Sequence, residues 1–113
     1  MEEEFDINEQ GRAGSSVISV RGEVDIATAT RFREFLEASI EGDPDAVVID
    51  LTGVTFIDST GLGVLIGARK RCDAAGHSLR LVVSEPRILK VFEITGLTEL
   101  FEIHPTLALA VRD

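Results

Sequence analysis

The residues with the most chemical potential lie between Val47 and Arg71, in the segment VVIDLTGVTFIDSTGLGVLIGARKR. An apolar run of strand character passes through a short connection into a helical segment, and Ser59 stands at the corner between Asp58 and Thr60. The first N–H groups of a helix lack internal acceptors and its dipole adds partial positive charge, so a hydroxyl or a phosphate ester there meets ready donors. Ser59 and Thr60 both suit that position. Gly61, Gly63 and Gly67 follow, and each costs a helix about 1 kcal/mol relative to alanine. Their clustering points to close approach of another backbone, either the sheet beneath or a partner above. Taken alone, Ser59 reads as a plain N-cap worth about 1 kcal/mol, Asp58 as a loop or capping acid, and Asp50 as the place where a strand leaves the core.

Catalytic matches fail on spacing. GLGVLIG is one residue too long for a dinucleotide fingerprint, and its glycines fall inside the helix rather than in a phosphate-binding turn. FIDSTG approximates an aspartic-protease loop but has a residue between Ser59 and Gly61 and no second copy, and Ser59 lacks the GxSxG elbow of α/β-hydrolases. His77 sits in a turn and His104 beside Pro105, where solvent-facing histidines are ordinary, and neither reads as a catalytic base. The single cysteine, Cys72, excludes an internal disulfide, and no Cys/His cluster has metal-ligand spacing, so neither a metal nor a cofactor is expected.

The elements that must position Ser59 follow from periodicity. Strand-like runs over Phe5–Asn8 and Ser16–Arg21 flank a turn-prone segment, Gln10–Ser15, and predict an N-terminal hairpin. Phe32, Phe35, Leu36 and Ile40 describe an amphipathic helix ended by Gly42, Asp43 and Pro44. Ala46–Leu51 lacks polar alternation before Asp50 and predicts a central strand covered on both faces. A helix over Thr60–Ala75 has a stripe of Leu65, Ala68, Cys72 and Ala75 and a stop at Gly76, leaving Leu62 and Val64 off the stripe beside Ser59. A strand over Ser78–Val83 precedes a helix capped by Ser84, opened by Pro86 and closed at Gly96, where Leu97 would pack on Phe92. A last strand, Leu100–His104, and a short helix within Pro105–Val111 complete the order. Such alternation predicts an α/β fold: one domain over residues 1–113, with a mixed, mostly parallel sheet of about five strands and helices packed against it.

Composition narrows the function classes. Hydrophobic residues are 44% and charged residues 27% of 113, as in an ordinary globular domain. The net charge of −9 would repel nucleic acid, and five of the acids fall in the first ten residues. The acidic start is unlike a signal peptide and the longest apolar stretch is too short for a bilayer, so the reading is cytoplasmic, with no membrane association.

Three segments together, RGEVD at Arg21–Asp25, VVIDLTGVTFIDSTGLGVLIGARK at Val47–Lys70 and VFEITGL at Val91–Leu97, resemble the STAS domain, in particular the stand-alone bacterial anti-sigma-factor antagonists. The similarity covers almost the whole chain. It implies a switch protein without enzymatic activity, a monomer or weak dimer, that binds a cytosolic anti-sigma factor and so releases the sigma factor. It further implies that the anti-sigma factor, itself an ATP-dependent serine kinase, phosphorylates Ser59, that a metal-dependent serine/threonine phosphatase reverses this, and that the phosphate turns binding off. Asp25 matches a position near the phosphorylated serine, and it reads equally as the cap of the first helix. The implied partner surface comprises Asp25, Asp58, Thr60, Gly61, Leu62 and Gly63.

Electrostatics agree with an off-switch. A phosphoserine adds about −1.5 to −2 charges, and repulsion from Asp58 at about 4 Å approaches ~4 kcal/mol per charge pair at an effective dielectric near 20, before screening. The helix N-terminus returns only about 0.3–2 kcal/mol. No arginine or lysine lies between Arg33 and Arg69 to neutralise the group locally. Two other readings stay open from sequence: a scaffold or sensor subunit of a larger signalling complex, and a hydrolase with a Ser59 nucleophile.

Overall fold

A long central strand organises the molecule. The structure, a computed structural model, describes residues 4–111. In β3 (Ala46–Ile57) the run Val47, Val48 and Ile49 is fully buried, because helices cover both faces of the sheet there. β2 (Ser15–Val24) and β4 (Ser78–Val82) pair with it in parallel on either side. β1 (Asp6–Arg12) adds antiparallel to β2, and β5 (Glu102–His104) adds parallel to β4. The sheet order is β1-β2-β3-β4-β5, the mixed five-stranded α/β arrangement expected from sequence.

The main core lies between one face of this sheet and three helices, α1 (Ala29–Glu41), α2 (Ser59–Ala75) and α3 (Pro86–Ile94). Phe32 and Leu36 of α1, Leu65 and Cys72 of α2, and Ile88 and Phe92 of α3 meet Ile18, Ile49, Leu51 and Leu81 of the strands. Each fully buried side chain of this size contributes about 1.5–3 kcal/mol relative to exposure. On the opposite face a smaller cluster, Val17, Val48 and Val82, is covered by Ala110 of the short helix α4 (Leu107–Ala110).

Several boundaries differ from the periodicity reading, each for a local reason. The hairpin turn is only Ala13 and Gly14, both at positive φ (50° and 83°), so β1 and β2 extend further toward it than their apolar runs indicate. β3 continues past Asp50 to Ile57. Asp50 therefore does not mark the strand's exit, and its carboxylate accepts from the Thr52 N–H (3.0 Å). The cap of α3 is Glu85 rather than Ser84, its side chain accepting from the Arg87 N–H (3.2 Å) behind Pro86. Gly96 does take the left-handed conformation (φ 77°), and Leu97 packs against the core, but a 3-10 turn over Leu97–Glu99 intervenes before β5. Along α2 the buried face is wider than the expected stripe. It takes in Gly61, Leu62 and Val64, while Ala75 is exposed.

The first turn of α2 is seated directly on the end of β2. A Cβ on Gly61 would lie 2.6 Å from Val24 Cγ1 and 2.9 Å from Ile57 Cγ1, whereas Cβ atoms on Gly63 or Gly67 would meet nothing within 4 Å. Gly61→Ala is therefore expected to destabilise by about 1–3 kcal/mol, overpacking outweighing the gain in helix propensity. Gly63→Ala and Gly67→Ala should each stabilise by up to about 1 kcal/mol. Thermal unfolding of the three variants checks the difference in sign.

Burial, with a smaller contribution from the neighbouring Asp73 carboxylate, pushes the Cys72 thiol from 9.0 up to about 11. Because the folded state resists ionisation, stability is fully present below 9.0, where both states are protonated, and declines as pH rises from there to about 11. The thiol is expected to resist alkylation at pH 8 in the native state and to react on unfolding, which a mass-detected alkylation time course would read.

Candidate functional site

β2 and β3 end together on one rim of the molecule, Val24 opposite Ile57, and α1 and α2 begin there, while β4 stops short of it with Val82 opposite Asp50. This is where an open α/β sheet leaves chain termini and loops free for binding. The β3–α2 connection is a single residue, Asp58, in extended conformation (φ −110°, ψ −175°). Its backbone N–H donates to the Val24 carbonyl (3.2 Å), its side chain accepts from the Gly61 N–H (3.1 Å), and its carbonyl accepts from the Leu62 N–H (3.0 Å). Asp58 is thus the N-cap of α2, correcting the reading of Ser59 as the cap. The three-residue reach from Asp58 to Gly61 satisfies an orphan N–H and moves Ser59 to the first helical position.

Ser59 and Thr60 are consequently exposed, and neither hydroxyl has a hydrogen-bond partner among the described residues. The two acids nearest them are already committed as acceptors. Asp25 follows Val24 directly, and its Oδ1 accepts from the N–H groups of Ala27 (3.0 Å) and Thr28 (3.3 Å). Thr28 is the N-cap of α1. Asp25 holds the turn ahead of that helix, a correction of its expected capping role. The Thr28 hydroxyl donates to the Glu23 carbonyl (3.0 Å) and lies 3.0 Å from the Asp25 N–H that donates to it, tying both ends of the turn together. Among the described residues neither Asp25 nor Asp58 enters an ion pair.

The structure therefore brings together Asp25, Asp58, Ser59 and Thr60, because Val24 joins the β2 and β3 exits through its carbonyl. It turns two other expected partner residues inward. Gly61 is buried against Val24, and Leu62, 7% exposed, belongs to the core, as does Val64. A helix lying flat on a sheet beside α1 buries more than one narrow stripe, which removes both side chains from any docking patch. Gly63 stays accessible and, with Gly67, lines an open groove between α1 and α2 whose walls carry Arg33, Glu37 and Arg71.

Ile26, 80% exposed, and Phe56, 48% exposed, lie on this rim and were not singled out from sequence. A signal existed for each: an isoleucine inside the polar turn following RGEVD, and a phenylalanine in VTFIDS beyond the continuous apolar run. His77 follows the far end of α2, about 25 Å away at 1.5 Å per residue, and faces Asp43 (3.1 Å). His104 lies on the edge strand β5, 2.6 Å from Glu102. Neither histidine meets Ser59. Among the described residues there is no group of acids, histidines and cysteines able to hold a metal, and no helix is long and apolar enough to cross a membrane.

Comparison with known proteins agrees with this geometry. The chain is 42% identical over 86 residues to the anti-sigma-B factor antagonist of Listeria monocytogenes, covering 76% of this chain and 75% of that protein. It is 37% identical over 86 residues to the protein of the same name from Bacillus subtilis, covering 76% and 78%. The crystal structure of an anti-sigma factor antagonist from Mycobacterium paratuberculosis superposes with a TM-score of 0.89 at 32% identity, over 97% of this chain and 96% of that one. The model of the STAS domain family matches residues 4–110. With a family model that matches nearly the whole chain and relatives of this extent of sequence identity, the chain belongs to the STAS domain family.

Proposed function

We propose that this protein is an anti-sigma factor antagonist that binds an anti-sigma factor through the Ser59 rim and is switched off by phosphorylation of Ser59. The observation that carries the reading is the Ser59 hydroxyl itself, exposed at the first helical position with no partner among the described residues. The names borne by its relatives supply the partner class, an anti-sigma factor whose action the protein opposes. The protein acts by competition and performs no catalysis of its own, its serine standing far from either histidine. The kinase is the anti-sigma factor, with ATP as donor, and a serine/threonine phosphatase restores the hydroxyl.

The off-state has a physical cause in the cap. Asp58 already accepts from the Gly61 N–H, so a phosphate on Ser59 competes with a carboxylate for one of the donors that a helix N-terminus offers. It remains beside that carboxylate, with repulsion of several kcal/mol at short range set against about 0.3–2 kcal/mol from the dipole. A phosphoryl group also keeps its hydration, which opposes close docking of any protein over it. Complete switching requires about 5.5 kcal/mol of differential affinity, within reach of these contributions together.

Ser59→Asp is expected to weaken binding to the purified cognate anti-sigma factor by about 100-fold or more, equivalent to about 2.7 kcal/mol, while Ser59→Ala stays within about threefold of the wild type. Titration calorimetry with the three proteins reads this, and equal affinity of Ser59→Asp and wild type would refute the reading. Incubation with the same anti-sigma factor and ATP should place one phosphate on Ser59 and none on Thr60. Peptide mapping by mass spectrometry decides between the two hydroxyls.

A further inference from the structure

Four large apolar side chains are exposed among the described residues, and two of them, Ile26 and Phe56, lie beside the two strand exits that meet at the Ser59 corner. Ile26 lies two residues beyond Val24, whose carbonyl accepts from Asp58, and Phe56 lies two residues before Asp58. Phe56 stands opposite Glu23 in the β2–β3 register, at the last rungs before both strands end. The other two are remote from this rim. Ile94 ends α3, which starts on the rim side and runs away from it, and Leu109 lies on α4 across the sheet.

Ile26 is displayed by a braced turn. The Asp25 carboxylate, the Asp25 N–H and the Thr28 hydroxyl form hydrogen bonds that close residues 25–28 on themselves and on the Glu23 carbonyl. Internal packing gives no reason to hold an isoleucine in water on so constrained a loop. A partner does, because a side chain ordered before binding loses less entropy on association. Around these two apolar groups stand the carboxylates of Glu23, Asp25 and Asp58, none in an ion pair among the described residues.

We infer that Ile26 and Phe56 are the apolar anchors with which the anti-sigma factor is gripped, seating in an apolar cleft of that partner bordered by lysine or arginine side chains. The inference rests on the reading of the Ser59 rim as the anti-sigma docking surface. It places Ser59 inside a contact that must become dry. A neutral hydroxyl tolerates that loss of water, and a dianion does not, however many cations stand at the border. The braced turn also gives Asp25 its purpose, which is to position Ile26 rather than to touch the serine.

The test uses the full chain and its purified cognate anti-sigma factor. Ile26→Ser and Phe56→Ser are each expected to weaken binding by about 30-fold or more, as central anchors do, with thermal midpoints close to wild type. Ile94→Ser, the same chemistry at the far end of the molecule, should bind as wild type, and added salt should weaken wild-type binding. Wild-type affinity in both rim variants, while Ser59→Asp fails to bind, would overturn the anchors and leave the docking surface standing. Wild-type affinity in Ser59→Asp as well would overturn the docking surface itself. An equal loss in Ile94→Ser would reduce the effect to general stickiness and also overturn the proposal, and salt-independent binding would remove the cationic border. Should Phe56→Ser lower the thermal midpoint markedly, Ile26→Ser alone decides, since its side chain is 80% exposed.

Discussion

One junction governs the functional end of the molecule: the Val24 carbonyl receives the Asp58 N–H while Gly61 lies against the Val24 side chain. This hydrogen bond and this close approach join the exits of β2 and β3 and fix where α2 begins. Because the connection is one residue long, the chain has no slack, and the cap, the serine and the buried glycine take their positions together. A side chain at Gly61 would lift the helix, and with it the first turn that carries Ser59.

The same constraint separates two roles that a linear reading of DSTGLG merges. Asp58 satisfies the helix end, which frees Ser59 from doing so. A capping serine would have its oxygen turned toward the backbone and would be a poor phosphoacceptor. A serine one position later, with the cap already supplied, presents its oxygen to solvent. On the other side of the junction Asp25 is likewise consumed in bracing a turn. The acids of the rim thus act first on the fold, and their negative field follows as a consequence that makes an added phosphate costly.

Beneath the rim the sheet supplies rigidity rather than chemistry. β3 is covered by α1, α2 and α3 on one face and, around Val48, by α4 on the other, and its end is tied to the main core through Val54 and Ile57. Close packing of the buried central strands makes this a scaffold that resists deformation. The groove lined by Gly63 and Gly67 shows that the glycines of α2 divide by environment, only the first being demanded by the sheet.

Much of the fold was legible in the chain. The apolar run Ala46–Leu51, the amphipathic pattern around Phe32 and Leu36, and the stops at Gly76 and Gly96 report local constraints of period, covering and backbone conformation, which a linear string encodes directly. The serine corner was visible for the same reason, since a strand-to-helix junction is written in adjacent residues. What the string could not decide was which faces the tertiary packing would cover. Leu62 and Val64 look free when α2 is taken alone and are buried once it lies on the sheet beside α1, whereas Ile26 and Phe56 look incidental until the strands converge and leave them in water. Burial belongs to the assembled sheet and helices rather than to any one segment, so the strand-to-helix corner at Ser59 was readable residue by residue, but the surface around it existed only in three dimensions.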